Sequence, residues 1–404
     1  MSQPEILRYQ RNRSLADVPA YSAGLQLQLP SGFRVYLALG RAGFTLTFSD
    51  DVALHYDLQG RFTKYVTVAD YHRRALSGKI LHTIKANGIK RTVLADDSVV
   101  ERAHRRVVAV VENFETAAVE FARPENAREI FKPLLELAAR FDVAASRADA
   151  ARFRAIYGDV AILPPDQYNA LVFQATEGCA YRGCLFCDFY KDRPFRVKST
   201  EEFAAHVEAV LAFHGESWRT RRYIFLGEAN ALAMPHERLV SILETLRARF
   251  GLPVGSFVDA FSRRPDFLAL SEFGLRRVYV GMETGCNDLL RWLRKPATAE
   301  GVIATVSAAK AAGLTVGVIV LLGAGGEQFA AAHVRETIRV LNAMPLCKGD
   351  YIYLSPLVVK PGSSYAAPLL SEADLLSQEQ AIRAGLQFPS KPYVARYEVE
   401  AFVY

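Results

Sequence analysis

Three cysteines fall within nine residues of this 404-residue chain, Cys179, Cys184 and Cys187, spaced C-x4-C-x2-C. Thiolates at such spacing are soft ligands, suited to zinc or to the irons of an iron–sulfur cluster. Zinc sites commonly draw their ligands as two pairs. No second cysteine pair exists here, although His206 or His214 could supply a distant fourth ligand. On a four-iron cluster, three thiolates leave one iron without a protein ligand. Such an iron can bind a substrate or a cofactor. Cys286 and Cys347 stand alone and read as buried apolar residues. Five cysteines, three of them clustered, argue against a disulfide framework.

The elements around the cluster must place it. After Pro164-Pro165, short apolar runs alternate with amphipathic stretches. The expected strands are Ala170–Ala175, Tyr223–Leu226, Ser256–Ala260, Arg277–Gly281, Thr315–Leu322 and Tyr351–Leu354. Helices are expected over Glu201–Phe213, His236–Phe250, Asp266–Glu272, Ala299–Ala312 and Glu327–Asn342. Thr200-Glu201 and Ser271-Glu272 offer helix-start chemistry. Six strands with intervening helices imply parallel βα units, whose sites lie at the C-terminal strand ends. The cysteines follow the first strand directly. Before the prolines, β-like runs at Phe33–Leu39, Phe44–Phe48 and Val52–Leu58 precede helical patterns at Ser98–Asn113 and Glu125–Arg140. The expected organisation is a smaller α+β region over 1–163, a barrel-like α/β core over 164–365, and an extension over 366–404.

Composition bounds the setting. Half the residues are apolar and about a quarter charged, as in a globular protein. No apolar run reaches the length of a membrane span. Met1–Ser14 is polar and lacks the apolar core of a secretory signal, so a cytoplasmic location is expected. The net charge of +6 is concentrated in Arg61–Arg106, with 11 Lys or Arg against 4 Asp or Glu. A basic segment of this kind suits RNA, an acidic protein partner, or a plain solvated face.

Three cysteines after a first strand, with the aromatic Phe186 before the last, resemble the radical S-adenosylmethionine (SAM) superfamily. The first gap carries one residue more than that family's usual C-x3-C-x2-C. The resemblance covers roughly residues 167–364. It implies a partial (β/α)6 barrel and two cofactors, a [4Fe–4S] cluster on Cys179, Cys184 and Cys187, and SAM chelated to the open iron. Phe186 would pack near the adenine. Gly227, Glu228 and Asn230 are similar to the family's second-strand turn, which holds the SAM amino group. Gly281-Met282-Glu283-Thr284-Gly285 resembles a fourth-strand segment of methylthiotransferases and oxygen-independent coproporphyrinogen dehydrogenases. Glu283 would accept hydrogen bonds from ribose or ammonium, and Arg294 or Lys295 would pair the SAM carboxylate. Gly323, in Leu322-Gly323-Ala324-Gly325-Gly326, would lie beside the adenosine, and Lys360-Pro361-Gly362 would close the adenine pocket.

The family's chemistry would then be reductive cleavage of SAM to methionine and a 5′-deoxyadenosyl radical, which abstracts hydrogen from a substrate C–H bond. The absence of other cysteine clusters and of a cobalamin-type Asp-x-His-x-x-Gly run implies a single metal centre. An electron donor such as flavodoxin or ferredoxin is implied, with a small molecule or RNA as substrate. The alternatives are a noncatalytic protein that keeps the fold and binds a cluster, haem or RNA, and a zinc-stabilised RNA-binding protein.

Overall fold

The computed structural model describes residues 23–404 except 87, 88, 159, 192, 361 and 403, and no side chain of residues 85–91. Met1–Ser14, Pro361 and the side chains of Lys90 and Arg91 thus lie outside the described residues. The chain forms two units. One holds residues 1–159, 208–220 and 403–404, the other residues 160–207 and 221–402.

The first unit is built on an antiparallel sheet. Its strands are β1 (Ala23–Gln28), β2 (Arg34–Gly40), β3 (Gly43–Phe48), β4 (Ala53–Tyr56), β5 (Phe62–Val66), β6 (Asp70–Arg74), β7 (Ile80–Ala86), β8 (Ile89–Ala95) and β9 (Ala118–Arg123). They run in the order β8-β7-β6-β5-β4-β3-β2-β1-β9. Period-two alternation turns Leu25, Val35, Leu37, Leu46 and Leu54 to one face. Helix α1 (Ser98–Glu112) and helix α2 (Ala127–Ala139) cover that face. The first buries Val99, Val100, Ala103, Val107 and Val110, and the second Ala127, Phe131, Leu135 and Ala138. Helix α3 (Val143–Tyr157) follows.

Part of the basic segment is interior rather than surface. Arg61 and Arg74 are buried around Asp149 of α3. Arg61 Nε donates to Asp149 Oδ1 at 2.8 Å, and Arg74 Nη2 lies 3.5 Å from Asp149 Oδ2. Arg74 also donates to the Ser146 hydroxyl and carbonyl, both at 2.8 Å.

The second unit is an α/β sheet of seven parallel strands in the order β10-β13-β14-β15-β16-β17-β18. These are β10 (Leu171–Gln174), β13 (Ile224–Gly227), β14 (Val254–Val258), β15 (Leu275–Glu283), β16 (Thr315–Leu322), β17 (Tyr351–Pro356) and β18 (Tyr393–Arg396). A two-stranded ribbon, β11 (Thr176–Glu177) and β12 (Arg196–Val197), interrupts the series after β10. The helices are α4 (Thr200–His214), α5 (His236–Phe250), α6 (Phe267–Glu272), α7 (Asn287–Trp292), α8 (Ala299–Ala311), α9 (Gly326–Asn342) and α10 (Glu372–Gly385). This is a partial α/β barrel, with the six expected strands in order and β18 added beyond them.

Two helix starts differ from the sequence expectation. Ser199, one residue before Thr200, caps α4: its hydroxyl accepts from Glu202 N, and Ser199 N donates to the Glu202 carboxylate. Ser271 lies in the last turn of α6, whose cap is Asp266. Toward the N-terminal strand ends, Asp166 accepts from the Tyr279 and Tyr353 hydroxyls, each at 2.5 Å, and from Arg277. That cluster fills the barrel floor with satisfied polar groups and leaves the opposite end for chemistry.

Two outcomes are expected. Asp149→Ala leaves buried Arg74 without a carboxylate and Arg61 with only Asp57, 3.4 Å away, so urea denaturation should show a loss of about 3–5 kcal/mol. A change below about 1 kcal/mol would contradict the assigned network. The second concerns His333 on α9, which is fully buried with Nδ1 2.8 Å from Thr284 Oγ1. Burial pushes its pKa down to about 4, whereas the unfolded imidazole titrates near 6.5. As pH falls, the unfolded state therefore takes up the proton first. The stabilising contribution is complete above pH 6.5 and is lost as pH drops through 4, in total about 3 kcal/mol. A His333→Asn chain should lose less stability than wild type between pH 7 and 4.5. Equal losses would rule out this source of acid sensitivity.

Candidate cofactor site

The cysteine loop is held at its base. Thr176 pairs with Val197 and Glu177 with Arg196, so residues 178–195 form an excursion closed by a ribbon. Arg196 ties Glu177 to Glu202 with contacts of 2.8 Å. Gly178 has φ +68°, and a Cβ there would lie 2.6 Å from the Pro194 carbonyl, so only glycine fits. On its far side the loop is tied through backbone groups: Leu185 N donates to Leu293 O at 3.0 Å, and the Tyr181 hydroxyl to Arg294 O at 2.7 Å.

Within this excursion Cys179, Cys184 and Cys187 line one cavity of about 230 Å³ at the C-terminal strand ends. Phe186 shares that wall and packs on the cluster containing Leu289, Leu293 and Leu357. Asn230 follows β13 and is 6% exposed. Its Nδ2 donates to Asp259 Oδ2 at 2.6 Å, while its Oδ1 is buried with no partner among the described residues. Asp259 also accepts from Ser262 N and its hydroxyl, at 2.6 and 2.7 Å. An unpaired buried acceptor carries a desolvation penalty until a donor arrives.

The fourth strand supplies the charged part of the wall. β15 bulges between Gly281 and Glu283, and Glu283 takes φ +61°. Lys295 Nζ donates to Glu283 Oε1 at 2.8 Å, with both side chains about one-tenth exposed. A Cβ on Gly281 would lie 2.5 Å from that same Glu283 oxygen, so the glycine makes room for the pair. Gly285 has a different reason, because a Cβ there would lie 2.2 Å from the Glu336 carbonyl of α9. Thr284 accepts from Cys286 N and contacts His333. His333 therefore braces the motif from behind.

Burial pushes the Cys184 thiol up to about 12 and raises Cys179 and Cys187 as well. Without added positive charge the site favours neutral thiols, and a metal centre would deprotonate them. Burial works against the charge on Lys295, but Glu283 outweighs it and holds its pKa above the usual lysine value. Among the described residues, no three His, Cys, Asp or Glu side chains converge closely enough for a single metal ion. One tetrahedral ion at about 2.3 Å draws its sulfurs to within about 4 Å of each other. A four-iron cluster binds each thiolate on a different iron and needs a wider triangle. Three soft thiolates lining one cavity are a donor set that suits such a cluster.

The structure thus brings Cys179, Cys184, Cys187, Phe186, Asn230, Glu283 and Lys295 to one cavity. Four other expected cofactor residues lie off its wall. Gly227 and Glu228 face a separate small recess beside Gln174. Arg294, with φ +53°, turns its side chain to solvent and contributes its backbone to the loop. Gly323 N donates to Gln378 Oε1 of α10, and Gly325 N to the Tyr365 hydroxyl, so this glycine loop is filled by the protein's own residues. Sequence reasoning missed Tyr181, Phe189, Tyr190, Phe257 and Tyr397, all on the wall. Phe189-Tyr190 could have been found from their place just after Cys187-Asp188. Tyr397 had no local signal.

Residues 173–339 match the family model of the radical SAM superfamily. The cofactors of that domain are a [4Fe–4S] cluster and SAM. Among solved structures, the chain is similar to methylornithine synthase PylB, with 14% identity over 61% of this chain and 85% of that one, TM-score 0.41. It is similar to the coproporphyrinogen III oxidase HemN from Escherichia coli, with 15% identity over 54% of each chain, TM-score 0.40. It is similar to the cobalamin-dependent enzyme OxsB, with 19% identity over 54% of this chain, TM-score 0.36. The chain spans only 31% of the length of OxsB. No curated protein matches it in sequence. No helix among the described residues is long and apolar enough to cross a membrane.

The Glu283–Lys295 pair is testable by a double-mutant cycle with Glu283→Gln and Lys295→Met. Urea denaturation should give a coupling energy above about 1 kcal/mol, with each single variant costing about 3 kcal/mol or more. Additive effects would show that the two side chains do not act as a pair.

Proposed function

We propose that this chain, which carries a radical SAM domain over residues 173–339, cleaves SAM reductively and removes a hydrogen atom from a substrate held in the same cavity. A single cluster on Cys179, Cys184 and Cys187 serves this reaction. The observation that carries the reading is the convergence of the three loop cysteines, Asn230 and the Glu283–Lys295 pair on one cavity. When bound, the cluster and SAM supply the electron transfer, the sulfonium cleavage and the hydrogen abstraction.

The chain's own residues bind, orient and exclude water. The three thiolates would hold three irons of the cluster and leave the fourth without a protein ligand. The free Oδ1 of Asn230 would accept from the SAM ammonium, and the amide is fixed for this by Asp259. Lys295 would pair the SAM carboxylate, with Glu283 keeping it charged. Phe186 supports the adenine. Phe257, Ile319 and Leu321 give the cavity an apolar wall that keeps water from the reacting centre.

The remaining assignments are coarser. A reductant is required, and an acidic flavodoxin or ferredoxin in the cytoplasm fits the chain's basic charge. Residues 1–163 are assigned to substrate or partner binding, 164–365 to the cofactor core and 366–404 to an extension. The substrate class is a small molecule or RNA.

Anaerobic reconstitution should give a brown protein with about four irons per chain. Reduction with dithionite in the presence of SAM should yield 5′-deoxyadenosine. Alanine at Cys179, Cys184 or Cys187 should abolish both. A colourless protein with stoichiometric zinc would overturn the cluster assignment. A loaded, reduced protein that makes no 5′-deoxyadenosine above background would overturn the catalytic one.

A further inference from the structure

The second-strand turn presents a carboxylate that the cavity does not use. Glu228 is buried, and its side chain points into the base of the cysteine loop rather than onto the cavity wall. Its Oε2 accepts from Gly178 N at 2.7 Å, and its Oε1 from Gln174 Nε2 at 3.1 Å. Arg193 Nη1 lies 3.5 Å from Oε1. These partners come from both legs of the loop: Gln174 and Gly178 on the way in, Arg193 on the way out. The Glu228 backbone N donates to Thr176, to Oγ1 at 3.1 Å and to the carbonyl at 3.3 Å. Behind Gln174, its own N donates to the buried His206 Nε2 of α4 at 3.1 Å.

We propose that Glu228 is a positioning residue that pins the residue before Cys179, and that Asn230 is the side chain this turn offers to the cofactor. The proposal rests on the cluster assignment above. Gly178 is the immediate neighbour of Cys179, and its left-handed backbone is already pressed against Pro194. A carboxylate accepting a backbone N–H makes a charge-assisted bond, stronger than a neutral one. Removing it leaves the Gly178 N–H buried without an acceptor and lets the first cysteine drift from the geometry the cluster needs. Thr176, through the Glu228 backbone N, and the strand pairing of Gln174 with Gly227 keep the turn itself in place, so the effect falls on the loop.

The test uses the cluster-loaded full chain with Glu228→Ala and Glu228→Gln. Three readouts are taken: the rate of iron loss to a chelator, the EPR spectrum of the reduced cluster, and the SAM Kd from the SAM-induced change in that spectrum. Glu228→Ala should lose iron about tenfold faster than wild type. Glu228→Gln keeps an amide oxygen for Gly178 N, so it should largely restore retention and leave the SAM Kd within about threefold. Wild-type iron loss in Glu228→Ala would overturn the proposal. So would a Glu228→Gln chain that keeps its cluster but binds SAM about tenfold more weakly, because that marks a direct cofactor ligand. If Glu228→Ala does not fold, the Glu228→Gln arm decides. A wild-type chain that takes up no iron is a separate result, and it overturns the cluster assignment itself.

Discussion

Three thiolates on one loop can hold a cluster only if the backbone carrying them is rigid, because each sulfur must meet a different iron. Among the described residues the loop has no helix or strand of its own between 178 and 195, so its rigidity comes from outside. A two-pair ribbon closes its base, and two backbone carbonyls after α7 hold its far side. Those carbonyls belong to Leu293 and Arg294, the second of which is in a left-handed conformation that non-glycine residues rarely adopt. The barrel's other end is filled by the Asp166 cluster, so the opening lies where the loop sits.

Charge follows the same logic. A buried ammonium beside three cysteines needs a carboxylate nearby, and Glu283 supplies it only by accepting positive φ at a bulge in β15. Strain of this kind persists where surrounding structure fixes it. Gly281 leaves the volume, Gly285 lets α9 approach, and Thr284 with His333 braces the turn from behind. Four of the motif's five positions thus have a physical reason, with Glu283 facing the cavity, Gly281 clearing space for it, and Thr284 and Gly285 facing the helix.

Much of the barrel was legible in the sequence. Thr315–Leu322 and His236–Phe250 have the bounds their apolar periodicity implies. The family resemblance singled out Cys179, Cys184, Cys187, Glu283 and Lys295, and these line one cavity. What escaped did so for physical reasons. β5, β6 and β7 carry Arg61-adjacent turns, buried Arg74 and a stacked His72–His82 pair, so charged and polar residues occupy inward positions and blur the alternation. β18 is four residues long at a sheet edge, with no buried residue to betray it. The glycine loop after β16 looked like a ligand cradle because nothing nearby in sequence shows that Gln378 and Tyr365 fill it. Tertiary contacts decided these positions, and local pattern could not.

The proposed chemistry requires an iron that the protein leaves free for SAM. Electron–nuclear double resonance on the reduced cluster, with SAM labelled by 15N at the amino group and 17O at the carboxylate, addresses this directly. Resolved hyperfine coupling to both labels is expected, showing one iron chelated by the cofactor. A reduced, SAM-saturated cluster that shows coupling to neither label would contradict the account.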